Sequence, residues 1–124
     1  METKLAGKAS SYFMEGVLDQ PFMRDIEDVA RLIEACFSTR VTSALLYPSN
    51  LTAGFFDLSS GEAGAILQKL RNYRIRLAVV CPPDSVKFSR RFSEMAVEES
   101  RTGYFKVFES TEEAREWLSA PDHG

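Results

Sequence analysis

Apolar residues recur along this chain with two alternating periods, one of three to four residues and one of two or fewer. That alternation marks helices and strands taking turns. Ser11 to Glu15 carries a weak strand pattern. A turn-rich connection from Gly16 to Pro21 follows, then Asp25, a residue type that caps helix starts. Ile26, Val29, Ala30, Ile33, Cys36 and Phe37 then share one face of a predicted helix. Val41 to Tyr47 predicts a short apolar strand, stopped by Pro48 and Ser49-Asn50. The next helix opens at Ser59 or Ser60, because Ser59 and Glu62 have capping-box spacing. Its apolar stripe is Ala63, Ile66, Leu67, Leu70 and Tyr73.

Ile75 to Cys81 is the clearest strand. Leu77 to Val80 is apolar without alternation, as expected when helices cover both faces. Pro82-Pro83-Asp84 ends it, and Ser85 is placed to cap a helix carrying Phe88, Phe92, Met95 and Ala96, with Gly103 as its stop. Tyr104 to Phe108 predicts the last strand. Ser110 and Glu113 repeat the capping spacing before a helix seated by Ala114, Trp117 and Leu118. The order β-α-β-α-β-α-β-α predicts an α/β fold, a four-stranded and mostly parallel sheet with right-handed crossovers. Four strands leave an edge that an extra N-terminal strand or a dimer partner can complete. Residues 1–9 read as a loose or short-strand start, 10–119 as a single α/β domain and 120–124 as a tail.

Composition narrows the function classes. The 124 residues are 44% hydrophobic and 27% charged, enough to bury a core and unlike a disordered chain. A net charge of −3 argues against nucleic-acid binding. No apolar run approaches the roughly 20 residues of a membrane span. Cys36 and Cys81 have no CxxC spacing, and the lone histidine, His123, lies in the tail, so neither a metal nor another cofactor is expected. These features describe a cytoplasmic protein with reduced thiols.

Candidate chemistry gathers where the carboxyl ends of parallel strands meet their loops. Asn50, Asp57, Ser59, Ser60, Gly61, Gly64 and Asp84 all fall on that edge. Ser59-Ser60-Gly61 at a helix N-terminus can hold an anion or accept a phosphoryl group, and it can equally be plain capping. Asp57 reads as a general base or a metal ligand, or, with no second carboxylate or histidine placed beside it, as an Asx-turn residue. Cys81 is the best-placed thiol, with no base apparent to ionise it. Phe55 and Phe56 cannot both sit comfortably in water, so one is expected in the core and one at an interface.

Phe55-Phe56-Asp57-Leu58, Gly61, Gly64, Ile66-Leu67-Gln68-Lys69, Asn72-Tyr73-Arg74, Glu99-Ser100 and Gly103 together resemble a bacterial family, the domain of unknown function (DUF) 4180, over roughly residues 10–118. Asp57 to Leu67 is also similar, more distantly, to the Asp-Ser-Ser-Gly-x-Gly-x-x-x-Leu signature of STAS domains, the anti-sigma factor antagonists. This chain differs in having Leu58 inserted after the aspartate and a longer approach over Pro48 to Phe56. The STAS likeness implies a regulatory module with Ser60 in the phosphorylated place. The resulting expectation is a non-catalytic binding or regulatory module that meets a protein partner or small ligand around Ser60. The alternatives are a small enzyme using Asp57, Ser60 or Cys81, and a structural homodimer joined through Phe55-Phe56 or an open sheet edge.

Overall fold

A computed structural model describes residues 3–6 and 12–119; the expected tail 120–124, with His123, lies outside the described residues, as do residues 1–2 and 7–11. The chain runs β1 (Thr3–Ala6), β2 (Phe13–Gly16), α1 (Val29–Thr39), β3 (Ser43–Leu46), α2 (Glu62–Asn72), β4 (Arg76–Val80), α3 (Arg90–Ser100), β5 (Phe105–Phe108) and α4 (Thr111–Ser119). The five strands form one sheet in the order β1-β2-β3-β4-β5. Strands β2 to β5 are parallel, as the alternation predicted, and β1 pairs antiparallel to β2 as the extra N-terminal edge.

Each parallel strand is added on the same side of the one before. Right-handed crossovers that always step one way put their helices on one face of the sheet. Val29, Leu32, Ile33 and Cys36 of α1, Ala63, Ile66, Leu67 and Leu70 of α2, and Phe92 of α3 accordingly share one core with Met14, Ala44, Leu46, Leu77, Val79 and Phe105. Helix α4 closes the other face, where Ala114 and Leu118 meet Phe13, Leu45, Ala78 and Val80. The uninterrupted apolar run in β4 is the consequence: Leu77 and Val79 face three helices, Ala78 and Val80 face one.

Two arginines fasten α4. Arg115 donates through Nε and Nη2 to the two carboxylate oxygens of Glu15 on β2, at 3.0 and 2.8 Å. Glu15 is 3% exposed, so this fork neutralises a carboxylate inside the fold. Arg76 at the start of β4 stacks over the Trp117 ring at 4.2 Å and donates to the carbonyls of Trp117 and Gly103.

Several expected boundaries move. The first parallel strand is Phe13–Gly16 rather than Ser11 to Glu15, and the Val41 to Tyr47 strand narrows to Ser43–Leu46. In α1, Leu32 is buried while Ala30 and Phe37 are exposed, because the helix begins at Val29 after a one-turn 3-10 helix over Ile26–Asp28, which Asp25 caps. Tyr73 lies past the end of α2 and is half exposed, packed edge-on against Phe37 with ring centroids 5.5 Å apart. Helix α3 starts at Arg90 with Ser89 as its cap; Ser85 instead donates to Pro82 O, and Phe88 precedes the helix. Ser110 does accept from Glu113 N at 3.2 Å, as its spacing predicted.

Arg115→Ala removes the cation that α4 supplies to buried Glu15. Loss of one member of a buried pair costs about 3–5 kcal/mol, less where the partner is half in water as here, so about 2–3 kcal/mol is expected. Arg90→Ala, whose pair with Glu94 is fully at the surface, should cost under about 1 kcal/mol. Urea unfolding of both variants checks the difference, and equal midpoints would show that the Glu15 fork does not hold α4.

Candidate functional site

The loops after β2, β3, β4 and β5 all leave the same edge of the sheet, because those strands are parallel. Asn50 lies there in a one-turn helix over Pro48–Asn50 and is fully buried. Its Oδ1 accepts from Tyr47 N at 2.8 Å, while Nδ2 donates to Val17 O at 2.8 Å and Gln20 O at 2.6 Å. Met23 N also donates to Asn50 O at 2.9 Å. Both amide protons and one lone pair are therefore used to staple the β2 loop to the end of β3. Gly16 is required beneath this staple, since a Cβ there would lie 2.2 Å from Asn50 Oδ1.

Asp57 to Gly61 forms a second, separate knot. Asp57 Oδ1 accepts from Ser59 N at 3.1 Å and from Ser59 Oγ at 2.6 Å, which is the Asx turn foreseen as one reading of this aspartate. Ser60 Oγ lies 2.7 Å from Gly54 O and 2.8 Å from Asp57 O, and it accepts from Glu62 N at 3.1 Å. Having one proton, the hydroxyl donates to one carbonyl at a time. Ser59 and Glu62 do not make the expected capping box: the N-cap falls two residues later, on Gly61 at φ 76°, and the serine whose hydroxyl meets the first helical N–H is Ser60. Gly54 comes so close that a Cβ would sit 2.9 Å from Ser60 Oγ and 2.4 Å from Glu62 Oε2. Gly64, on the exposed side of the first turn, would place a Cβ in open space.

The remaining candidates stand apart. Asp84 is exposed in a turn closed by Ser85 N to Pro82 O, at φ 63°. No hydrogen bond among the described residues joins Asp84 or Asn50 to the Asp57–Gly61 knot. Cys81 ends β4 and is 5% exposed; burial pushes its thiol up to about 12, and Cys36 likewise. Phe55 is fully enclosed against Phe92 and Phe105, with centroids 6.0 and 6.1 Å away. Phe56 is half-buried between Phe88 at 5.5 Å and Phe92 at 5.3 Å. No cluster of His, Cys, Asp and Glu among the described residues could hold a metal ion. No helix among them is long and apolar enough to cross a membrane. Sequence reasoning missed Glu15, whose one signal is a carboxylate inside the apolar run Phe13-Met14-Glu15.

A family model described as a domain of unknown function, DUF4180, matches residues 2–118, and the chain belongs to that family. No curated protein matches it, and no solved structure does.

Gly16→Ala forces a methyl into the Asn50 amide, which its three hydrogen bonds hold in place. A loss of about 2 kcal/mol or more is expected, against a gain of up to about 1 kcal/mol for Gly64→Ala in an open helical position. Urea denaturation should separate the two in sign. The thiols predict slow chemistry. With values near 12, only about one thiol in ten thousand is ionised at pH 8. Native protein should react with a disulfide reagent at least about a hundredfold more slowly than unfolded chain, and the rate should climb with pH beyond 9. Because the folded thiols lie above the unfolded value of 9.0, their contribution to stability is complete below that pH and is lost as pH rises towards 12. Rapid labelling of the native protein at neutral pH would return Cys81 to the list of nucleophiles.

Proposed function

Taking membership of the DUF4180 family as the premise, we propose that this chain is a non-catalytic binding or regulatory module whose partner meets the carboxyl edge of the sheet at Asp57–Gly61, with Ser60 as phospho-acceptor. The observation that carries this reading is the position of Ser60 Oγ, exposed yet clasped between Gly54 O, Asp57 O and Glu62 N. Transfer of a phosphoryl group from ATP would release ADP and the hydroxyl proton, and with the proton goes the donor that holds Gly54 O or Asp57 O. The new dianion would face two carbonyl oxygens and the nearby Asp57 and Glu62 carboxylates, which repel it, while the N-terminus of α2 attracts it. Loop 54–57 must then release its hold on the helix, and Phe56 moves with it. A local charge becomes a change of surface.

The STAS-like pattern from Asp57 to Leu67 supports the same serine. An enzyme at this edge is less well supported. Cys81 is neutral and enclosed, and the Asp57 carboxylate is engaged by Ser59.

Incubation of the wild type and Ser60→Ala with bacterial lysate and ATP, followed by intact-mass measurement, tests the reading. One added phosphoryl group on the wild type and none on the variant is the expected result. Absence of any shift across lysates from several growth conditions would remove Ser60 as acceptor. Ser60→Ala should itself cost about 1 kcal/mol through the lost hydroxyl contacts to Gly54 O, Asp57 O and Glu62 N, so its folding is checked alongside.

A further inference from the structure

Among the described residues, strand β5 is the outer strand of the sheet and pairs only with β4. Tyr104 O and Phe108 O accept from Leu77 N and Cys81 N at 2.8 and 2.7 Å, so the even-numbered residues of β5 turn their backbone towards β4. By alternation the N–H and C=O groups of Phe105 and Val107 point outward, away from the sheet. Beside this edge runs a groove of about 260 Å³, lined by Phe88, Phe92, Ala96 and Val97 and by Lys106 and Val107 of the strand itself. Val97, 56% exposed, is an apolar side chain left in water on its outer wall.

The charges around the groove say what could cover it. Lys106 makes no ion pair among the described residues. Arg90 at the start of α3 and Arg101 just past its end flank Val97, and among the described residues each is paired with an exposed glutamate of that helix, Glu94 at 3.8 Å and Glu98 at 3.9 Å. Such pairs are weak and open to exchange. A second copy pairing β5 against β5 would crowd two Lys106 side chains into a four-residue ribbon and bring both sets of arginines together, which a lysine on an edge strand ordinarily serves to prevent. A segment with carboxylates meets no such repulsion.

We propose that the β5 edge and its groove take an extended acidic peptide segment of another protein. It adds as a further strand along Phe105 and Val107, its apolar side chains enter the groove against Val97 and Phe88, and its alternate carboxylates reach Lys106, with Arg90 and Arg101 holding its flanks. The alternation of β5 suits this division: Val107 packs on the groove face, while the Lys106 stem borders the groove and its ammonium lies over the Phe108 ring at 5.3 Å on the other face, where the alternate side chains of an added strand would meet it.

Fluorescence anisotropy of the full chain with a labelled peptide of alternating glutamate and valine around a central phenylalanine tests the assignment, with the lysine-for-glutamate peptide as its counterpart. Saturable binding of the acidic peptide is expected. Val97→Glu, a change at an exposed helix position that leaves the core intact, should weaken it about tenfold or more. Lys106→Glu should weaken the acidic peptide and strengthen the basic one. Three results would each overturn the proposal: no saturable binding at low salt, equal affinity for both peptides, or affinity unchanged by Val97→Glu. Sedimentation is the remaining arm. A monomer at all concentrations is expected, and a dimer that Val97→Glu dissociates would assign the groove to a second copy instead.

Discussion

A parallel sheet that always adds its next strand on the same side cannot cover both faces with its own crossovers. All three connecting helices, α1, α2 and α3, fall on one face, and the other would be left in water. Helix α4 resolves this by following the last strand and folding back across β5, β4 and β3. Its attachment therefore decides whether the sheet is a covered layer or an open one. That explains why two arginines converge there, Arg115 on the buried carboxylate of Glu15 and Arg76 on the ring and carbonyl of Trp117. The same one-way order has a second result: every loop at the carboxyl ends of the parallel strands opens on one edge, and strand β5 has one side that no described residue pairs with.

The layered architecture was legible because it depends on periodicity. The unbroken run from Leu77 to Val80 is what a strand enclosed on both faces requires, and it is one. Positions within helices were less legible, because they depend on where the first turn begins. A single 3-10 turn over Ile26–Asp28 rotates α1 enough to bury Leu32 and expose Ala30 and Phe37. At α2 the left-handed Gly61 takes the N-cap position expected of a serine, and Ser60 reaches Glu62 N from just before it. Neither shift follows from residue type alone, since two serines and a glycine in a row each suit a helix start.

The candidate site was legible as a place and much less as an arrangement. Ser60 does stand at the start of a helix on the carboxyl edge, with Asp57 beside it. Asn50 reads in sequence as the end of a strand, and nothing local reveals that its amide reaches Val17 and Gln20, some thirty residues earlier. Long-range hydrogen bonds of this sort leave no periodic trace. Glu15 is the same case at greater distance, with its arginine a hundred residues away.

The two halves of the edge also differ in kind. The Asn50 staple uses a fully buried amide, so breaking it leaves polar groups without partners inside the protein, and it acts as fixed scaffold. The Ser60 clasp is exposed, and water can replace each bond it makes, so it opens at small cost. The phospho-switch proposed above would use the second kind of fastening set on the first. Phe56 carries the contact outward: it leaves the clasped loop, stacks on Phe88 and meets Phe92 edge-on, and both of these line the groove beside β5. An alteration at Ser60 therefore has a short physical route, through one aromatic side chain, to the open edge of the sheet.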